Sequence, residues 1–155
     1  MMEHEISCWP LALSVSQGAP SLDDLRGYSA AWNAWLDRQQ RFATLRVLLD
    51  SAAHVHPPGG ARERKDWLAA NGARLRAQVI GMATVAPADV VAQMNRVKTE
   101  RLFGVPAQAF DSLDAALAWL LPLLEQAIPG HDGVAVKQQV QAWQQRIGAL
   151  TADAR

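Results

Sequence analysis

A chain of 155 residues, half of them hydrophobic and 19% charged, is about one domain long and can bury roughly 70% of its unfolded surface. Fifteen basic residues balance fifteen acidic ones, so the basic excess that nucleic-acid binding depends on is missing and that class is set aside. The single cysteine, Cys8, permits no internal disulfide. The amino-terminal MMEHEISCWP carries acids where a signal peptide carries a basic segment. No apolar run approaches the ~20 residues of a membrane span, and a cytoplasmic protein is expected.

The stretch EISCWPLALSVSQ alternates apolar Ile6, Cys8, Leu11, Leu13 and Val15 with smaller or polar neighbours. That is a strand pattern, which Trp9-Pro10 breaks into two short strands or one bulged strand. Ser21 then caps a helix, with Asp24 completing a capping box, and an apolar stripe from Leu22 through Trp32, Trp35 and Leu36 runs to about Arg38. FATLRVLLD, residues 42–50, is dense enough in apolar residues to predict a strand of a parallel sheet, buried on both faces. A loop follows over 51–60. Residues 61–78 are a helix with Trp67, Leu68, Asn71 and Leu75 inward and a basic outer face that includes Arg62, Arg64 and Lys65.

A second buried strand covers 79–86. One helix is then expected over 87–103, with Val90, Met94 and Val97 on a face, before a short strand at 105–110. A leucine-rich helix begins at Asp111 or Ser112, and Pro122 should kink or end it. Strands alternating with helices predict an α/β fold, a small mixed and largely parallel sheet of four to five strands flanked by helices. The domain spans 1–126. Residues 127–155 are a turn-rich hinge and an appended amphipathic helix whose Val136, Val140, Trp143, Ile147 and Leu150 are spaced 4, 3, 4 and 3. That heptad spacing favours a homodimer interface over a helix folded back on its own domain.

The helix ending AWLDRQQRF, the strand LRVLLDSA, the segment PPGGARERKDWL, the strand VIGMATVAP and the closing VPAQAFDSLDAALAWL occur in this order from about Leu22 to Leu120. In that order and spacing the chain resembles the SpoIIAA-like (STAS-like) domains of bacteria. The resemblance implies a small mixed sheet flanked by helices and a non-enzymatic role in binding proteins or small apolar ligands. The family's sigma-factor antagonists carry a phosphorylatable serine in an Asp-Ser-Ser/Thr-Gly segment at a helix start. Here Asp50-Ser51 lacks both the second hydroxyl and the glycine, so the resemblance does not carry a phosphoswitch over to Ser51.

Ligands of parallel sheets bind beyond the carboxyl ends of the strands, where crossovers diverge. The 51–60 loop lies there, and Asp50, Ser51, His54, His56 and Arg62 are the candidate ligand-binding residues. His54-x-His56 with Asp50 contains enough donors for a metal ion, but no His-Glu-x-x-His or cysteine pair supports one, and solvated or hydrogen-bonded loop histidines are the expectation. PPGG before a helix, beside Arg62 and Arg64, could hold an anion on free backbone N–H groups. The segment lacks both Gly-Lys-Ser/Thr and Gly-x-Gly-x-x-Gly. No catalytic residue, metal or cofactor is expected.

The leading functional reading is a regulatory or scaffolding module acting through protein contacts, with a second copy of itself as one partner. The first alternative is a carrier or sensor of a small apolar or lipid-like ligand, and the second a metal-dependent enzyme using the 50–56 loop. A closed core favours the first reading. A cavity of several hundred Å3 lined by Trp and Leu favours the carrier.

Overall fold

A computed structural model of the chain describes residues 1–96 and 99–153, the side chains of 99, 100 and 149–153 excepted. The expected α/β architecture is present. A five-stranded sheet has strand β1 (Met2–Glu5) antiparallel to β2 (Leu11–Ser16), and β2 parallel to β3 (Phe42–Leu48), β4 (Val79–Val85) and β5 (Ala107–Phe110) in turn. Trp9–Pro10, a cis peptide, sits in the turn between β1 and β2, where the sequence pattern breaks.

Strand order follows chain order. Each crossover therefore steps in the same direction, and crossovers of one hand stack their helices on one face. That face carries α1 (Leu22–Asp37), α2 (Gly60–Gln78), α3 (Ala88–Arg96) and α4 (Thr99–Phe103). The strand order never reverses, so there is no point of divergence of the kind expected at the 51–60 loop. The expected single helix over 87–103 is the pair α3 and α4, and Val97 lies outside the described residues.

The opposite face is covered by α5 (Leu113–Ala127), lying on β3, β4 and β5, with α6 (Gly133–Asp153) packed over α5. Ser112 starts α5 by accepting the Ala115 N–H, which relieves one unpaired donor of the first turn. The helix runs through Pro122 and does not end there. α5 comes close to β4 at Gly81, where a Cβ would sit 3.3 Å from Leu123 Cδ1. Leu13, Leu45, Ala83, Leu117, Leu120 and Leu124 form one buried cluster with Val136, Val140, Trp143 and Ile147 of α6.

The α6 stripe is thus taken up inside the chain. Val136, Val140, Trp143 and Ile147 are all at most 7% exposed, in the folded-back arrangement that the heptad spacing ranks second. Leu150 belongs to the same stripe by spacing, but its side chain lies outside the described residues. Arg146 of α6 also donates to Glu5, at the end of β1, at 3.4 Å. No described helix is long and apolar enough to cross a membrane.

Candidate binding cavity

The helix-covered face behaves differently on its two halves. Trp32, Trp35 and Leu36 of α1 pack with Ala12, Phe42, Leu75 and Val79 in a second buried cluster. α2, by contrast, is held chiefly to α1. Arg26 donates to Glu63 at 2.8 Å, Trp67 Nε1 to Asn33 Oδ1 at 2.9 Å and Arg74 to Asp37 at 2.7 Å. The run Arg62-Glu63-Arg64-Lys65-Asp66 leaves the first turns of α2 little apolar surface to press on a sheet. Gly59 starts α2 in the left-handed region, φ 84°, a conformation that glycine adopts without steric cost.

The result is a cavity of about 900 Å3 between the sheet and the helices. Trp32, Trp67, Leu68, Leu75, Met82 and Phe103 supply its apolar wall. Its floor is polar. Thr44, Arg46 and Thr84 line it from β3 and β4, and they project from one face of the sheet because Arg46 is in register with Thr84 and alternates with Thr44. The Arg46 row continues across the sheet through Ser14 to His4. His4 Nδ1 lies 2.9 Å from Ser14 Oγ, and the His4 ring stacks on Tyr28 with centroids 5.2 Å apart.

The 51–60 loop forms part of the rim. His54, Val55, His56 and Gly60 border the cavity, as does Leu102 of α4. Val55 and Leu102 are exposed apolar side chains, and they mark the cavity's mouth. Burial holds His54 and His56 below the ordinary histidine range, with Arg46 and Arg64 pushing His54 the same way. For His56 the charges of Arg64, His54 and Arg46 add to burial in that order. Both rings therefore stay neutral at pH 7 and can donate or accept a single hydrogen bond at each nitrogen.

The other candidate residues serve the fold. Asp50 caps the 3-10 turn over Ser51–His54 by accepting the Ala53 N–H at 2.9 Å, and it accepts the Gly18 N–H at 3.0 Å, tying the end of β2 to the end of β3. Ser51 donates to Asp89 in the first turn of α3 at 2.9 Å. Arg62 is exposed on α2 and is not among the residues lining the cavity. Among the described residues no group of three His, Cys, Asp or Glu side chains comes together as a metal site, so Asp50, His54 and His56 do not form a ligand set.

Arg46, Thr44 and Thr84 are the residues that reading the sequence passed over. Their signal was present as period-two polarity. Ser14 and Ser16 in β2, Thr44 and Arg46 in β3 and Thr84 in β4 alternate with apolar neighbours, the mark of one polar face. Trp67 and Leu68 line the cavity together with Trp32, whereas Trp35 and Leu36 are buried in the core.

Comparison of the chain with protein-family models, with curated proteins and with solved structures finds no match.

Proposed function

We propose that the protein is a non-enzymatic module that binds a small, largely apolar molecule as its carrier or sensor. The observation that carries this reading is the cavity. At about 900 Å3 it falls within the range of about 300–1,000 Å3 that accommodates drug-sized ligands. Its wall of Trp, Leu, Met and Phe over a small polar floor is the composition of a ligand site. The resemblance to SpoIIAA-like domains, which implies binding of proteins or small apolar ligands, supports the same reading. Regulation through protein contacts then follows from ligand occupancy, with the Val55 and Leu102 rim as the surface that a bound molecule would alter. The loop's acid and hydroxyl, Asp50 and Ser51, are engaged in hydrogen bonds that hold the strand ends, which favours binding over an enzymatic use of the loop.

Trp32 and Trp67 line the cavity and make binding visible. Titration of the full chain with dodecanol should give a saturable change in tryptophan emission with one site per chain. Met82→Trp, which places a large ring in the cavity, should abolish that response while leaving the circular dichroism spectrum unchanged. Absence of saturable binding to the wild-type chain would sink the proposal.

A further inference from the structure

The arginines of this chain do not share one environment. Arg26, Arg74 and Arg146 each have a carboxylate partner, in Glu63, Asp37 and Glu5. Arg46 has no carboxylate or hydrogen-bond partner among the described residues, and its Nε is buried. The guanidinium carbon lies 5.1 Å from the centroid of the Tyr28 ring, a contact that offsets part of its desolvation. That contact leaves the N–H donors of the fork without an acceptor. A partly buried cation without a counter-charge is costly, and replacing Arg46 by an apolar residue would remove that cost at once. Its position at the centre of the polar row, between Ser14 and Thr84, therefore calls for an anion.

The other charges around the cavity agree in sign. Arg64 and Arg101 border it, and among the described residues its one lining carboxylate, Glu63, is held by Arg26. Thr44 and Thr84 add hydroxyls beside the guanidinium on the floor. Resting on the apolar-ligand reading of the same cavity, we infer that the ligand is a monoanionic amphiphile, a hydrophobic carboxylic acid, whose carboxylate sits on Arg46 and whose apolar body lies among Trp32, Trp67, Leu75 and Phe103. One guanidinium fork matches one carboxylate in a bidentate pair.

The test uses three probes with the same chain and different heads, dodecanoate, dodecanol and dodecyltrimethylammonium. Each is titrated calorimetrically into the full-length protein below its micelle concentration, at about pH 8, where the acid is ionised. Dodecanoate should bind about ten- to hundred-fold more tightly than dodecanol, the range expected for a charge-assisted hydrogen-bonded pair. The ammonium should bind most weakly. Arg46→Met should erase the preference for acid over alcohol while leaving the affinity for dodecanol in place. Arg46→Lys, which keeps the charge and loses the fork, should retain the sign of the preference at reduced size.

Equal binding of acid and alcohol by the wild-type chain overturns the inference and leaves the apolar-ligand reading standing. A preference for the acid that survives in Arg46→Met overturns the assignment to Arg46. Failure of all three probes to bind overturns the apolar-ligand reading and this inference together. The comparison of head groups on the wild-type chain needs no variant, so it decides the matter even if Arg46→Met does not fold.

Discussion

The two faces of the sheet are built from the same strands and covered to very different effect. On one, Leu11, Leu13, Val15, Ala43 and Leu45 meet the leucines of α5 in a cluster that includes four buried residues of α6, and Gly81 lets α5 come within van der Waals contact of β4. On the other, Thr44, Arg46 and Thr84 face a layer that α2 spans without filling, because α2 is fixed to α1 by Arg26–Glu63, Trp67–Asn33 and Arg74–Asp37. Close packing supplies stability where apolar side chains interdigitate. A polar floor under an apolar roof cannot interdigitate in this way, and space for a ligand remains. The division of labour is therefore written into alternate residues of a single strand: Ala43 and Leu45 of β3 hold the fold on one face, and Thr44 and Arg46 line the site on the other.

Removing the outer layer of the packed face should have the largest effect. A chain ending at Ile128 loses four buried α6 side chains, each worth about 1.5–3 kcal/mol as an upper estimate. That sum is comparable to the whole stability of a typical domain, about 5–15 kcal/mol. Thermal unfolding followed by circular dichroism should lose its cooperative transition, and light scattering should show association through the uncovered α5. A shortened chain that melts like the full one would show that α6 is not part of the core.

Single substitutions extend the contrast at smaller size. Leu120→Ala, at a fully buried position of the packed face, should cost about 2–5 kcal/mol in chemical denaturation. Leu68→Ala, at a half-buried position of the cavity wall, removes the same atoms beside existing space and should cost less than half as much. Similar losses at the two sites would mean that the cavity is closed by packing in solution.

Ser16 offers a change of the opposite sign. Its buried Oγ has no hydrogen-bond partner among the described residues, and an unsatisfied buried hydroxyl costs about 1–3 kcal/mol. Ser16→Ala should leave stability unchanged or raise it by up to about 1 kcal/mol, measured by urea midpoint at constant slope. A loss above that size would reveal a hydrogen bond to the Ser16 hydroxyl.

The smallest effect should be the response to acid, and it belongs to the cavity side. His4, His54 and His56 are all held below the ordinary histidine value, first by burial and then by neighbouring cations, Arg46 among them. The folded chain thus binds their protons less readily than the unfolded chain does. Stability is fully present above the unfolded value of about 6.5 and falls as pH drops from there through the lowered folded values. The melting temperature should decline between about pH 7.5 and about pH 5.5, and a His54→Gln, His56→Gln double variant should flatten the decline. A melting temperature that rises over that interval would reverse the sign.

Most of the fold was legible because periodicity is a local property. The Ser21–Asp24 capping box, the strand at Phe42–Leu48 and the Ser112 start of α5 follow from spacings within a few residues. Strand order and helix sidedness are not local, and nothing in the spacing says that all the crossovers stack on one side. The cavity was missed for a related reason. Apolar density in FATLRVLLD suggested burial on both faces, although Thr44 and Arg46 alternate with Ala43, Leu45 and Val47. Both faces are covered, but coverage is not the same as apolar packing. The histidine loop follows β3 as its sequence position requires, while the roles of Asp50 and Ser51 depend on Gly18 and Asp89, partners more than thirty positions away. The α6 stripe showed an apolar seam without showing what would cover it.

The contact between Arg146 and Glu5 joins positions 141 apart in the chain, and the packing of α6 onto the same layer as β2 spans nearly as far. Contacts of such reach carry a large loop-closure cost and form late in folding. The sheet and α5 must be in place before α6 has a surface to dock on. Until it docks, Leu117, Leu120 and Leu124 are only partly sheltered, and this interval is when the chain is most prone to intermolecular association.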